Sequence, residues 1–358
     1  QAAAFDAFGW SYYTREWFES WYPGYSDAWG ALNGAIGILY EQAGYQAQPV
    51  RRRSGEIATY RDAVHHQLIS SVANLTTLAT NARPILQEYV ARRAANVDSN
   101  LAENRRTFCL PPSSLEHPGR RAFLLRALLG QGIEISRANE SFIARNVISS
   151  GREAQEELEL PAGTLLVHAA QPQAPLVKTY LEFDPRMSEE VLLEERSELE
   201  RERSSKIYDV TAWSLPQALG LEAYWSDLVE VGADEVREVS RTPSGVAPAP
   251  RGDQSVYGWV VEGSADAAVA FAAAAMELGV KVNLSDRDFR AGGRSYSRGS
   301  LLVRAHENDE GAADRVTRAA ERAGVLAYAV NGGRSPDEGP DLGGGHFTLW
   351  LCPAICDH

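Results

Sequence analysis

The sequence predicts an α/β chain: an α/β segment over the first hundred or so residues, then a duplicated α+β region. Three observations carry this. Gly34 to Tyr40 is a continuous apolar run punctuated by small residues, the pattern of a strand buried on both faces in a parallel sheet. Val64, Leu68, Ile69, Val72, Leu75, Leu78 and Ala79 recur at helical spacing. Two later stretches repeat the order strand, helix, strand, strand, helix. Their matching strands are Gly163-Thr164-Leu165-Leu166-Val167 and Gly299-Ser300-Leu301-Leu302-Val303.

The elements follow in order. An aromatic, Gly-containing loop, Tyr22-Pro23-Gly24-Tyr25-Ser26-Asp27-Ala28-Trp29, precedes the Gly34–Tyr40 strand, and Glu41 stands at that strand's end. Open α/β sheets bind ligands outside the carboxyl ends of their strands, so Glu41 would project where chemistry sits, with the loop's rings lining a pocket. The bland alternative is a strand-end Glu that meets only solvent. Ser54-Gly55-Glu56 is a turn between two short strands, the second being Ile57 to Tyr60. Residues 61 to about 97 form one long helix, kinked at Pro84.

The first copy runs Thr107–Leu110 strand, Arg120–Leu129 helix, Gly132–Ile135 strand, a loop, Gly163–Val167 strand, then a helix from Ala174 to Glu182. The second runs Tyr257–Val261 strand, Asp266–Leu278 helix, Gly279–Val282 strand, Gly299–Val303 strand, and a helix from Glu310 to Ala323. In each, a Gly ends the first helix. Each copy is expected to bury one sheet face, the two packing together with pseudo-symmetry. Between them, Glu189 to Arg203 is a charged, solvent-facing helix. Asp209 to Pro216, with Trp213, reads as a helix start with a ring beneath it. Arg241 to Asp253 is a Pro-, Gly- and Ser-rich linker expected to be mobile, and its Arg-Gly-Asp is a chance match. Residues 333–345 read as a flexible connector. The organisation is thus 1–100, 105–240, 254–332 and a connector over 333–358.

Composition narrows the function. A net charge of −13 argues against a general nucleic-acid or anionic-membrane surface, and no run is long enough to span a bilayer. With three cysteines there is no disulfide framework, and the compartment stays undecided.

Residues 8 to 66 resemble the closing part of the catalytic domain of a zinc carboxypeptidase, in the bacterial branch that continues into a long C-terminal extension. The resemblance rests on Tyr12-Tyr13-Thr14-Arg15-Glu16, the aromatic loop, Gly34-Ala35-Ile36-Gly37-Ile38-Leu39-Tyr40-Glu41-Gln42-Ala43-Gly44, and Arg61-Asp62-Ala63-Val64-His65-His66. It implies that Glu41 is the general base, that Tyr22, or else Tyr25, contacts a peptide substrate, and that the intact protein uses zinc. It favours an exported or periplasmic location without fixing one. Asp209 to Pro216 also resembles a segment of that branch's extension.

The zinc ligands that the resemblance implies are not in this chain. The family's His-x-x-Glu pair and third His lie upstream of the aromatic loop, and no histidine here precedes Tyr22. His306-Glu307-Asn308-Asp309 is a solvated turn, neighbouring His65 and His66 point apart on a helix, and Cys352 to His358 lacks a partner motif. The expectation is therefore a fragment that begins inside a catalytic domain, inactive alone. The competing expectation is a non-catalytic peptide- or ligand-binding module or scaffold.

Overall fold

The structure, a computed structural model, describes residues 1–13, 22–41, 48–112, 118–202, 205, 207, 213–239, 245–247, 256–334 and 340–350. Thr14 to Glu16, Gln42 to Gly44, Asp209, the Arg251-Gly252-Asp253 match and Cys352 to His358 lie outside them. The molecule is mixed α/β with several sheets.

The first hundred residues hold helices α1 (Ala2–Asp6) and α2 (Ser26–Leu32), a hairpin of β1 (Val50–Arg51) and β2 (Ile57–Ala58), and helices α3 (Tyr60–Thr80) and α4 (Ala82–Val97). The hairpin and its turn stand where the sequence puts them, but β2 stops early because Thr59 caps α3. The Asp62 carboxylate accepts from the Thr59 amide at 2.8 Å, and the Thr59 hydroxyl accepts from the Asp62 amide at 3.4 Å. The expected single kinked helix is two helices broken at Asn81, whose φ of −111° and ψ of 19° leave the helical region. Pro84 explains the position of the break. It has no N–H to give the preceding turn, and three residues into a new helix none is needed.

The face that α3 buries is not the apolar one. His66 and Ser70 are its buried residues, and His66 packs on Trp10 at 4.1 Å and Phe5 at 5.8 Å between ring centres. Val64, Leu68, Val72, Leu75 and Leu78 face solvent, each about half exposed or more.

The first α+β unit follows a 3-10 turn at Ala102–Asn104. It comprises β3 (Arg106–Leu110), α5 (Pro118–Gly130), β4 (Ser136–Ala138), β5 (Phe142–Ser149), β6 (Ala154–Leu160), β7 (Leu165–His168), α6 (Ala174–Leu181), α7 (Glu189–Glu202), α8 (Leu215–Ala218), β8 (Tyr224–Asp227) and β9 (Ala233–Glu235). Its seven strands are ordered β6-β5-β8-β3-β7-β4-β9. The second unit comprises β10 (Gly245–Ala247), β11 (Gly258–Val261), α9 (Ala268–Glu277), β12 (Asn283–Ser285), β13 (Phe289–Ala291), β14 (Arg294–Tyr296), β15 (Leu301–Arg304), α10 (Ala312–Ala323), β16 (Leu326–Val330) and β17 (Phe347–Leu349). Its main sheet is ordered β10-β16-β11-β15-β12-β17.

The duplication holds at the level of topology. Strands β8-β3-β7-β4-β9 correspond to β16-β11-β15-β12-β17, all antiparallel, in the split βαβ arrangement. Register agrees too: Leu110 faces Leu165 in the first unit as Val261 faces Leu301 in the second. The first helix of each unit gives way to a glycine with positive φ, Gly132 at 72° and Gly279 at 75°.

The two sheets do not cover each other, contrary to expectation. In the first, Phe108, Leu110, Leu165 and Val167 pack against Leu124, Leu128, Leu176 and Leu181 of α5 and α6. The opposite face, with Cys109, Leu166 and Tyr224, is covered by Ala144, Val147 and Leu160 of the β5–β6 hairpin. In the second, Trp259, Val261, Leu301 and Val303 pack on α9 and α10, and the opposite face, with Val260 and Leu302, is covered by Phe289, Ala291, Tyr296, Leu342 and Phe347. Each insertion between the second and third strands folds back over the open face, so each unit closes both faces by itself. A bidentate ion pair, Arg120 to Asp266 at 2.6 and 2.7 Å, runs from one unit to the other. Parts of both presumed linkers are also ordered. Residues 245–247 form β10, parallel to β16, and residues 347–349 form β17 on β12.

Candidate functional site

The aromatic loop is built on α2. Tyr25, extended at φ −62° and ψ 146°, precedes the helix, and its ring meets that of Tyr22 edge-on at 5.5 Å. Tyr22 is 42% exposed. The helix ends in a Schellman motif: the Ala35 amide donates to the Gly30 carbonyl and the Gly34 amide to that of Ala31, both at 2.9 Å. Gly34 takes φ 89° there, and a Cβ on it would come within 2.9 Å of the Tyr89 ring. The chain then turns back beside α2, so close that a Cβ on Gly37 would lie 2.5 Å from the Asp27 carbonyl oxygen.

Residues 34–40, expected as a strand buried on both faces, have no sheet partner among the described residues, and Ile36, Ile38 and Leu39 are 68%, 50% and 46% exposed. The apolar content was legible; the neighbours were missing. A doubly buried strand needs a ladder on each side and a layer on each face, and the described residues of the first hundred offer only the two-residue strands of the hairpin. Tyr40 bonds through its hydroxyl to Asn74 of α3. Glu41 is exposed, and among the described residues no hydrogen bond or ion pair reaches it.

The described residues around Glu41 do not fit a zinc ion. Among the described residues no three or more His, Cys, Asp or Glu side chains are grouped to hold a metal. His65 and His66 lie in the aromatic cluster of Phe5, Phe8 and Trp10, where burial, then the Arg52 charge, pushes the His66 imidazole below the usual histidine range. His168 is tied to Thr107 Oγ1 at 3.0 Å, and burial lowers its pKa as well. Glu307 is not the solvated residue expected. Half-buried, it accepts from Arg304 at 2.6 Å and from Asn283 at 2.8 Å, and although desolvation opposes it these bonds hold its carboxyl below the usual range. Trp213, just before α8, donates its indole N–H to the Thr179 carbonyl of α6 at 3.0 Å.

An open cavity of ≈ 640 Å³ lies elsewhere, between the 3-10 turn, β5 and β8 of the first unit. Its arginines are largely spoken for: Arg106 pairs with Glu182 at 3.0 Å and Arg145 with Glu157 at 3.4 Å. None of its lining residues belongs to the aromatic loop or to the segment leading to Glu41. Sequence reasoning missed the residues that dock α2 on the first unit. Leu32 packs against that unit's core, and the Trp29 indole N–H donates to Gln131 Oε1 at 2.8 Å across 102 residues of chain. No local pattern signals such a pair. Among the described residues no helix is long and apolar enough to cross a membrane. The chain matches no family model, no curated protein and no solved structure.

Proposed function

We propose that this chain is the later part of a zinc-carboxypeptidase-like hydrolase that removes C-terminal residues from peptides, with a duplicated α+β extension. One observation supports this most: the uncovered apolar surface of the first hundred residues. Ile36, Ile38 and Leu39 lie bare just before Glu41, and α3 turns Val64, Leu68, Val72, Leu75 and Leu78 outward. From Ala63 to Thr80 that helix carries no Asp, Glu, Lys or Arg. An uncharged apolar stripe on a helix of a water-soluble protein is the inner face of a layer. In the two α+β units, by contrast, both faces of each sheet are covered.

In this reading residues 34–40 become a strand of a larger sheet when the rest of the layer is present, and Glu41 then stands at its carboxyl edge. Glu41 takes a proton from the attacking water and passes it to the leaving amine. Tyr22, with Tyr25 against it, closes over the peptide. Zinc, held by residues outside this chain, would supply Lewis-acid polarisation.

A second reading, a non-catalytic peptide-binding or scaffold module, is favoured by the position of Glu41, open to solvent with no partner among the described residues. The two are separated by Glu41→Gln in the polypeptide that carries this chain together with its upstream catalytic part. Retained zinc with turnover reduced by two orders of magnitude or more supports the hydrolase. Unchanged turnover removes Glu41 from the mechanism.

A further inference from the structure

The first α+β unit reaches the aromatic loop through more than the Trp29 indole. Arg93 of α4 lies between the two. Its guanidinium donates to the Asn33 carbonyl at 3.1 Å, to Gln173 Oε1 at 3.0 Å and to the Pro172 carbonyl. Its Nε donates to Tyr89 Oη at 3.2 Å, and Tyr89 is the ring under Gly34. Gln173, at the start of α6, returns the contact. Its amide donates to Asn33 Oδ1 at 3.3 Å and to the Gln131 carbonyl at 3.2 Å. Asn33 is the residue that ends α2 and donates back to the Trp29 carbonyl at 2.9 Å.

Arg93 is itself held from behind. Asn104 donates to the carbonyls of Ala95, Asn96 and Asp98 at the end of α4, at 2.9, 3.3 and 2.9 Å, and accepts from Lys178 of α6 at 2.9 Å. The loop's other end lies near the same unit: burial raises the pKa of Tyr180 on α6, and Tyr22 adds to it through its charge.

We propose that the first α+β unit is a brace for the aromatic loop: Arg93, Gln131 and Gln173 are positioning residues that hold the end of α2, and with it Tyr22 and Tyr25, in one place. This gives the extension a role in substrate binding, and it rests on the reading of those tyrosines as substrate contacts. The brace grips the loop and not the segment after it. Beyond Gly34 the chain leaves these contacts and lies exposed. The consequence is asymmetric: loosening the brace changes how a peptide is held and leaves proton transfer at Glu41 alone. Trp29 needs only an acceptor at position 131, which a carboxylate also provides and a methyl group does not.

The test begins with hydrogen exchange, read by mass spectrometry, on the chain itself. Arg93→Ala and Gln131→Leu are expected to speed exchange of residues 22–34 at least about fivefold, the factor that one net hydrogen bond contributes. Gln131→Glu is expected to match the parent. The strands β3 and β7 should keep their protection; if Arg93→Ala loses it, the milder Gln131 pair decides. Equal loop exchange in the parent and in Gln131→Leu and Arg93→Ala overturns the brace. The second arm uses the zinc-bearing polypeptide, where Gln131→Leu should raise KM several-fold at nearly constant kcat and Gln131→Glu should restore it. A fall in kcat with KM unchanged also overturns the brace. Absence of peptidase activity in the parent, with the exchange result intact, defeats the hydrolase reading and leaves the structural brace standing.

Discussion

Replacing Phe271 by Ala tests whether the two α+β units are independent. Phe271 lies on α9, fully buried, in the core that Trp259, Val261, Leu301 and Val303 form with α9 and α10. Removing its ring leaves a cavity between helix and sheet and costs about 3–5 kcal/mol. Taking about 4 kcal/mol, the opening equilibrium of this unit shifts by nearly three powers of ten, since about 1.4 kcal/mol is tenfold. Amides of β11 and β15 that exchange only by global opening of the unit should then exchange about 10²–10³ times faster. The first unit has separate cores on both faces of its own sheet, so amides of β3 and β7 should not change. Hydrogen exchange resolved by peptide reads both in one sample. A comparable acceleration in β3 and β7 would refute the reasoning, because it requires one cooperative core spanning both sheets.

Three further outcomes are expected. Burial holds the imidazoles of His168 and His66 below the usual range, so above about pH 6.5 they are neutral folded or unfolded. As pH falls from there towards the lower folded values, the unfolded chain binds protons that the folded chain refuses, and stability drops; in urea melts His168→Gln should flatten that acid-side slope. Gly34→Ala places a side chain at φ 89° against the Tyr89 ring and should cost about 1–2 kcal/mol locally, seen as faster exchange of residues 26–41 with the α+β units unaffected. The pair Leu68→Glu and Leu75→Glu, at 56% and 66% exposed positions, should change this chain's stability by no more than about 0.5 kcal/mol each, measured in urea, while improving its solubility.

How much of this was legible depends on how local each signal is. The duplication was readable because matching Gly-(Thr/Ser)-Leu-Leu-Val strands and helix-ending glycines are local patterns. The sequence pattern puts the second strand of each copy early, at Ile133 and Ile135 or Val280 and Val282. Those side chains are buried as expected, but the ladder begins at Ser136 and Asn283. Alternating apolar residues report burial, and here the buried segment is the return from the helix. The β5–β6 hairpin is hidden in the sequence because β6 is rich in exposed acids, Glu156, Glu157 and Glu159, and because Asn146 at φ 50° interrupts β5. β17 follows a run of glycines that reads as a connector. The brace could not be read at all: Gln173 reaches Asn33 across 140 residues, and ordinary polar side chains announce nothing about distant partners.

The most direct test of the account is the solvent accessibility of α3 in the polypeptide that includes the proposed upstream catalytic part. Single cysteines at Leu68 and Leu75, or backbone exchange across residues 63–78, report it. The account predicts that these positions, exposed here, become inaccessible and strongly protected, together with Ile36 and Ile38 before Glu41. If they label and exchange there as fast as in this chain, no layer covers α3, and Glu41 has no sheet edge on which to stand.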